Sequence, residues 1–104
     1  MAHFRFSRRA EADLLGIVAY TLRTWGKDQA TRYIDDLVAC WQMIAENPTL
    51  GRASDNIRPG LRRIECGRHV VLYRADAEGI LISRILHRRM LPERQAIDDE
   101  DDGP

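Results

Sequence analysis

Arg62, Arg63, Arg68 and Arg84, together with His87, are the residues of this sequence best placed to do chemistry, since all fall on or at the end of segments with strand character. Arginine presents a rigid, planar fork that pairs with carboxylate or phosphate. Breaking a phosphodiester would need more: a base for the attacking hydroxyl, an acid for the leaving oxygen, and cations for the charge that develops on the phosphoryl oxygens. Only part of that set is legible. Lys27 lies far off at a helix junction and the last tyrosine is Tyr73. Glu65 is the only carboxylate on the first two of these strands, so His87 has no evident proton-transfer partner. Arg62 and Arg63 are adjacent and must point to opposite faces of a strand, so at most a subset of the arginines forms one patch.

The other chemically capable residues read as structural. His69 and Tyr73 are four apart in a strand and share a face, so His69 is expected to pack beside Tyr73. His3 is incidental. Trp25 and Trp41 fall on helical apolar stripes and are expected in the core. No His, Cys, Asp or Glu cluster has metal-ligand spacing and no glycine-rich phosphate loop occurs, so neither a metal nor a cofactor is expected. Cys40 and Cys66 stand in no paired motif. In a chain that is not exported they are expected as free thiols.

These residues sit in a chain of 104, one domain by length. At 44% hydrophobic and 31% charged it has the composition of a globular protein. No run approaches the ~20 apolar residues of a membrane span. The opening Met1-Ala2-His3-Phe4-Arg5 has no apolar signal core, so a cytoplasmic location is expected. The formal charge of zero hides an asymmetry. Residues 93–104 hold six acids against Arg94, leaving 15 basic and 10 acidic residues over 1–92, a net of +5. The chain therefore divides into a mildly basic body, 1–92, suited to an acidic partner, and an acidic tail, 93–104, with no apolar period to order it.

The elements that must position the candidates follow from pattern. His3–Phe6 reads as a short strand. Ser7 is a good N-cap, and Ala10, Leu14, Ile17, Thr21 and Trp25 mark one face of a helix that Gly26 ends. A second helix, about Lys27–Glu46, carries Ala30, Tyr33, Ile34, Leu37, Trp41 and Ile44, and Asn47-Pro48 stops it. So short a link makes an antiparallel helical hairpin. Residues 49–60 read as a loop. Leu61–Cys66, Arg68–Arg74 and Ile80–His87 then read as three strands joined by Gly67 and by a turn at Asp76–Gly79, an antiparallel meander. The fold class is α+β.

Several stretches in this order sharpen that reading: Ala10-Glu11-Ala12-Asp13-Leu14; Trp25-Gly26 with Gln29-Ala30; Glu46-Asn47-Pro48-Thr49-Leu50-Gly51-Arg52; Arg58-Pro59-Gly60-Leu61-Arg62; Gly67-Arg68-His69-Val70-Val71-Leu72-Tyr73-Arg74; and Arg84-Ile85-Leu86-His87-Arg88-Arg89-Met90. Over about residues 4 to 91 the sequence resembles the ParE branch of the RelE/ParE toxin family. The resemblance implies a toxin co-expressed with a ParD-like antitoxin, which joins a DNA-binding ribbon-helix-helix region to a segment that wraps the toxin. Contact with DNA is then indirect, through the antitoxin. ParE-type toxins act on DNA gyrase and block replication, without catalysis of their own. RelE-type relatives cut mRNA on the ribosome, and on that alternative Arg68, His87 and Arg84 would be the catalytic set. A third alternative is a non-toxic co-repressor that only binds antitoxin. The candidate antitoxin contacts are Arg58, Arg62, Arg68, Arg74, Arg84 and Arg88.

Overall fold

The computed structural model describes residues 2–90, so the acidic segment 93–104 and its expected role as a tail lie outside the described residues. The chain order is β1 (His3–Phe6), α1 (Arg8–Trp25), α2 (Lys27–Glu46), β2 (Arg52–Ala53), β3 (Arg62–Cys66), β4 (His69–Asp76) and β5 (Gly79–His87). The strands form one sheet in the order β1-β5-β4-β3-β2. β3, β4 and β5 are the expected antiparallel meander. β1 adds to it parallel to β5. β2 corrects the reading of 49–60 as a plain loop: Arg52 and Ala53 pair with Arg63 and Arg62. Two exposed residues carry no alternation, so the pairing partner alone defines this strand.

Ser7 starts α1 and also fastens it. Its hydroxyl accepts the Ala10 N–H at 3.1 Å and donates to the Ser83 carbonyl at 2.9 Å, inside the protein. Gly26 joins the two helices alone, at φ 86°, a conformation that favours glycine. The hairpin lies on one face of the sheet. Ala10 and Ile17 of α1 and Leu37, Trp41 and Ile44 of α2 meet Val71, Tyr73, Ile80, Ile82 and Ile85 there. Phe4 and Phe6, two apart on β1, set their rings edge-on to Trp41 at 5.8 and 5.2 Å between centroids. Trp41 is 1% exposed, as its stripe position predicts. On the other sheet face Leu61, Val70, Leu72 and Leu86 form a second cluster with Ile57.

Three expectations need correction. Cys40 and Cys66 are disulfide-bonded, not free. They are 26 residues apart, and only the packing of α2 across the end of β3 brings their Cα atoms to 6.2 Å. Trp25 ends α1 beyond the sheet and is 51% exposed, so it is not a core residue. His69 does not pack beside Tyr73. It faces Tyr33 and His87, while the Tyr73 hydroxyl is taken by the Pro48 carbonyl and the Gly51 N–H.

Candidate functional site

A cavity of about 430 Å3 opens between α1, the start of α2 and the sheet end where β4 begins and β5 finishes. Its position follows from the register. His69 and His87 are paired across β4 and β5, and Cys66 and His69 across β3 and β4, so both histidines face the helix side. Their rings stand nearly perpendicular, 5.7 Å apart. Helix α1 supplies the opposite wall with Gly16, Ile17 and Tyr20, and Trp25 and Met90 stand at the rim. The wall is open at Gly16, where a Cβ would meet nothing within 4 Å.

The polar groups form a connected set. The Tyr33 hydroxyl lies 2.6 Å from His69 Nδ1 and accepts the Arg68 N–H at 3.0 Å. His87 Nδ1 accepts the Arg89 N–H at 3.2 Å, so the proton of a neutral His87 ring sits on Nε2, available as a donor. The Arg68 guanidinium lies 5.3 Å from the centre of the Trp25 ring, a cation–π contact. Burial, and then the neighbouring His87 and Arg68, hold the His69 imidazole below the usual histidine range, with Asp13 opposing. Burial likewise raises the Tyr33 hydroxyl above the usual tyrosine range, against the Arg68 hydrogen bond.

Asp13, on the same wall, is occupied. It accepts Arg84 Nε at 2.7 Å, Arg84 Nη2 at 2.9 Å and the Ile85 N–H at 2.9 Å. A bulge in β5 sets this up. Ser83 and Arg84 together stand opposite Leu72, which turns the strand locally and brings Arg84 to α1.

The candidate arginines are thereby divided. Arg68 and Arg88 lie at the cleft end of the sheet, where Arg88 is 3.5 Å from Glu65. Arg62 donates to the Gly51 carbonyl at 2.7 Å. Arg62, paired with Tyr73, Arg74, next along β4, and Arg58, ahead of β3, belong to the far end, roughly 13–17 Å along β4 from His69 at ~3.3 Å per residue. Arg84 is spent on Asp13. Of the set named for phosphodiester chemistry, Arg68 and His87 share the cavity and Arg84 braces its wall. The residues that sequence reasoning missed are His69, Tyr33 and Asp13. The Arg68-His69 pair was visible; what could not be seen was the register that sets His69 against His87.

A helical hairpin on one face of a five-stranded sheet, with a basic, aromatic-rimmed cleft at the sheet's end, defines a small α+β domain built around one cleft. The comparisons with known proteins carry this to a family. A family model described as ParE toxin of type II toxin–antitoxin system, parDE, matches residues 4–92. Toxin ParE1 of Caulobacter vibrioides is 44% identical over 90 residues, 86% of this chain and 93% of its own. Toxin ParE1 of Mycobacterium tuberculosis is 39% identical over 94 residues, 89% of this chain and 96% of its own. A solved structure of the chromosomal ParDE TA system from P. aeruginosa superposes with TM-score 0.69 at 25% identity, covering 84% of this chain and 96% of that one. The chain belongs to the ParE toxin family of type II toxin–antitoxin systems, as its sequence stretches suggest. Among the described residues no helix is long and apolar enough to cross a membrane.

Proposed function

We propose that this protein is a toxin held inactive by a ParD-like antitoxin, and that released toxin binds DNA gyrase and stops replication by adhesion alone. One observation supports the adhesive reading above others. The outward face of the helical hairpin leaves Leu15 71%, Leu22 45% and Val38 40% exposed, beside a groove lined by Val18, Ala30 and Ile34. A monomer that exposes such a patch is built to cover it with a partner. An amphipathic antitoxin helix matches the groove, with apolar side chains at i, i+4 and i+7 as anchors. Arg68 and Arg88, at the cleft end, are the arginines best placed to meet antitoxin carboxylates and steer the encounter. The gyrase target rests on family membership.

The test is direct. Purified protein added to gyrase should block supercoiling or trap cleaved DNA, and cognate antitoxin should reverse the effect. Leu22→Asp with Val38→Asp should weaken antitoxin binding at least tenfold in a chain that still folds. Gyrase activity unaffected by free toxin at saturating concentration would end the target claim, and unchanged antitoxin affinity would end the groove claim.

A second reading, ribosome-dependent mRNA cleavage, has one observation in its favour. His69 supplies beside His87 the proton-handling partner that the sequence does not reveal. Translating ribosomes mixed with the toxin decide between the two: intact mRNA is expected if adhesion is the whole activity.

A further inference from the structure

We infer that the cleft between α1 and the β4–β5 end is a binding site for a nucleoside monophosphate, with the phosphate against Arg68, His69 and His87 and the flat base against Trp25 and Tyr20. The inference stands on the cleft alone. It holds under either reading of the toxin's target, because holding a nucleotide requires no cleavage; the ribosome assay above tests the ribonuclease reading separately.

Three facts select this ligand. First, Arg68, His69 and His87 line one cavity. Among the described residues, Arg68 has no carboxylate partner and the contacts of its guanidinium are with the Trp25 ring. His87 has its Nδ1 engaged by the Arg89 N–H, which leaves Nε2 to donate. His69 has its Nδ1 fixed by Tyr33, which orients its other nitrogen. Second, the carboxylate on the cavity wall, Asp13, is already bound by Arg84 and by the Ile85 N–H, so it neither neutralises these donors nor repels an anion strongly. A phosphate takes three such donors through its oxygens, as charge-assisted hydrogen bonds. Third, the remainder of the cleft is apolar and flat-sided. Ile17 and Ile85 line it, and Tyr20 and Trp25, 56% and 51% exposed, offer ring surface on which a base can stack, Trp25 by the face that the Arg68 guanidinium does not cover. A cavity of about 430 Å3 lies in the range of small-molecule sites. A simple anion would leave the aromatic walls bare. A neutral aromatic ligand would bury the three donors without partners, a loss that disfavours it.

A free nucleotide and the 5′-phosphorylated end of a single strand present the same chemistry, so the experiment separates them. The full-length toxin is titrated by calorimetry with 5′-AMP, adenosine, inorganic phosphate, and a DNA tetranucleotide with and without a 5′-phosphate. AMP is expected to bind at least tenfold more tightly than adenosine or phosphate alone. Its ³¹P resonance, and the ring signals of His69 and His87, should shift with saturation. If the phosphorylated tetranucleotide matches AMP, the site takes strand ends; if it binds much more weakly, the site takes free nucleotide. Arg68→Ala and His87→Gln, both at exposed positions, should each weaken AMP at least tenfold, since glutamine can accept the Arg89 N–H but cannot at the same time hold a donor where the ring places Nε2. Gly16→Leu removes no recognising group and fills open space in the wall. It should abolish binding in a protein that is, if anything, better formed in α1. No saturable AMP binding, equal affinity for AMP and adenosine, or affinity unchanged in both Arg68→Ala and Gly16→Leu would each overturn the assignment.

Discussion

Asp13→Asn tests whether the cleft wall is held by one part-buried ion pair. The Asp13 and Arg84 side chains are only 16% and 11% exposed, and the carboxylate accepts three hydrogen bonds, two from Arg84 and one from the Ile85 N–H. Asparagine keeps one acceptor oxygen and turns an NH2 group towards a guanidinium, donor against donor. The guanidinium loses the Asp13 countercharge in a place with little water to replace it. Removing one member of a buried pair typically destabilises by 3–5 kcal/mol. The slight exposure here places the expected loss near the lower bound, about 3 kcal/mol. In a domain of this size each kcal/mol shifts Tm by roughly 4–8 °C, so Tm should fall by roughly 12–24 °C. Urea denaturation followed by circular dichroism reads the free energy directly. The double variant Asp13→Leu with Arg84→Met should recover most of the loss, because well-packed apolar groups replace a buried pair at little penalty. A loss below about 1 kcal/mol in Asp13→Asn would refute the reasoning, since it would place the pair with exposed surface salt bridges.

Three further outcomes are expected. Reducing the Cys40–Cys66 bridge frees a loop spanning 26 residues, which chain entropy equates to roughly 3–4 kcal/mol; Tm with and without reductant measures it, and an unchanged Tm would contradict it. Gly51→Ala puts a Cβ 2.6 Å from the Tyr73 hydroxyl and 2.8 Å from the Arg63 carbonyl, so it should destabilise by about 1–3 kcal/mol, and wild-type stability would mean the loop yields freely. The depressed His69 pKa sets a pH dependence: between its folded value and about 6.5 the unfolded chain binds the additional proton. Stability should therefore fall as pH drops below about 6.5 and level off below the folded value, with less of that fall in His69→Gln; identical urea curves for the two proteins at about pH 7.5 and 5.5 would rule His69 out as the cause.

Much of this is legible in the sequence. Ser7, the Ala10–Trp25 stripe, Gly26 and Asn47-Pro48 placed both helices at their observed ends, because caps, period and breakers act within a few residues. The meander was legible for the same reason: Gly67 and the Asp76–Gly79 turn leave adjacent strands no alternative to pairing. β2 was not, since two residues have no period of their own.

The sequence by itself determined the α+β order, the basic body and, through stretches such as Gly67–Arg74 and Arg84–Met90, the toxin family, since all of these depend on local pattern. Tertiary structure alone decided which side chains meet. The pairing of His69 with His87, the Asp13–Arg84 contact made through a strand bulge, the Cys40–Cys66 bond and the exposure of Trp25 all join or separate groups by packing across the fold. Contacts between residues tens of positions apart depend on register and helix placement, which no local pattern encodes.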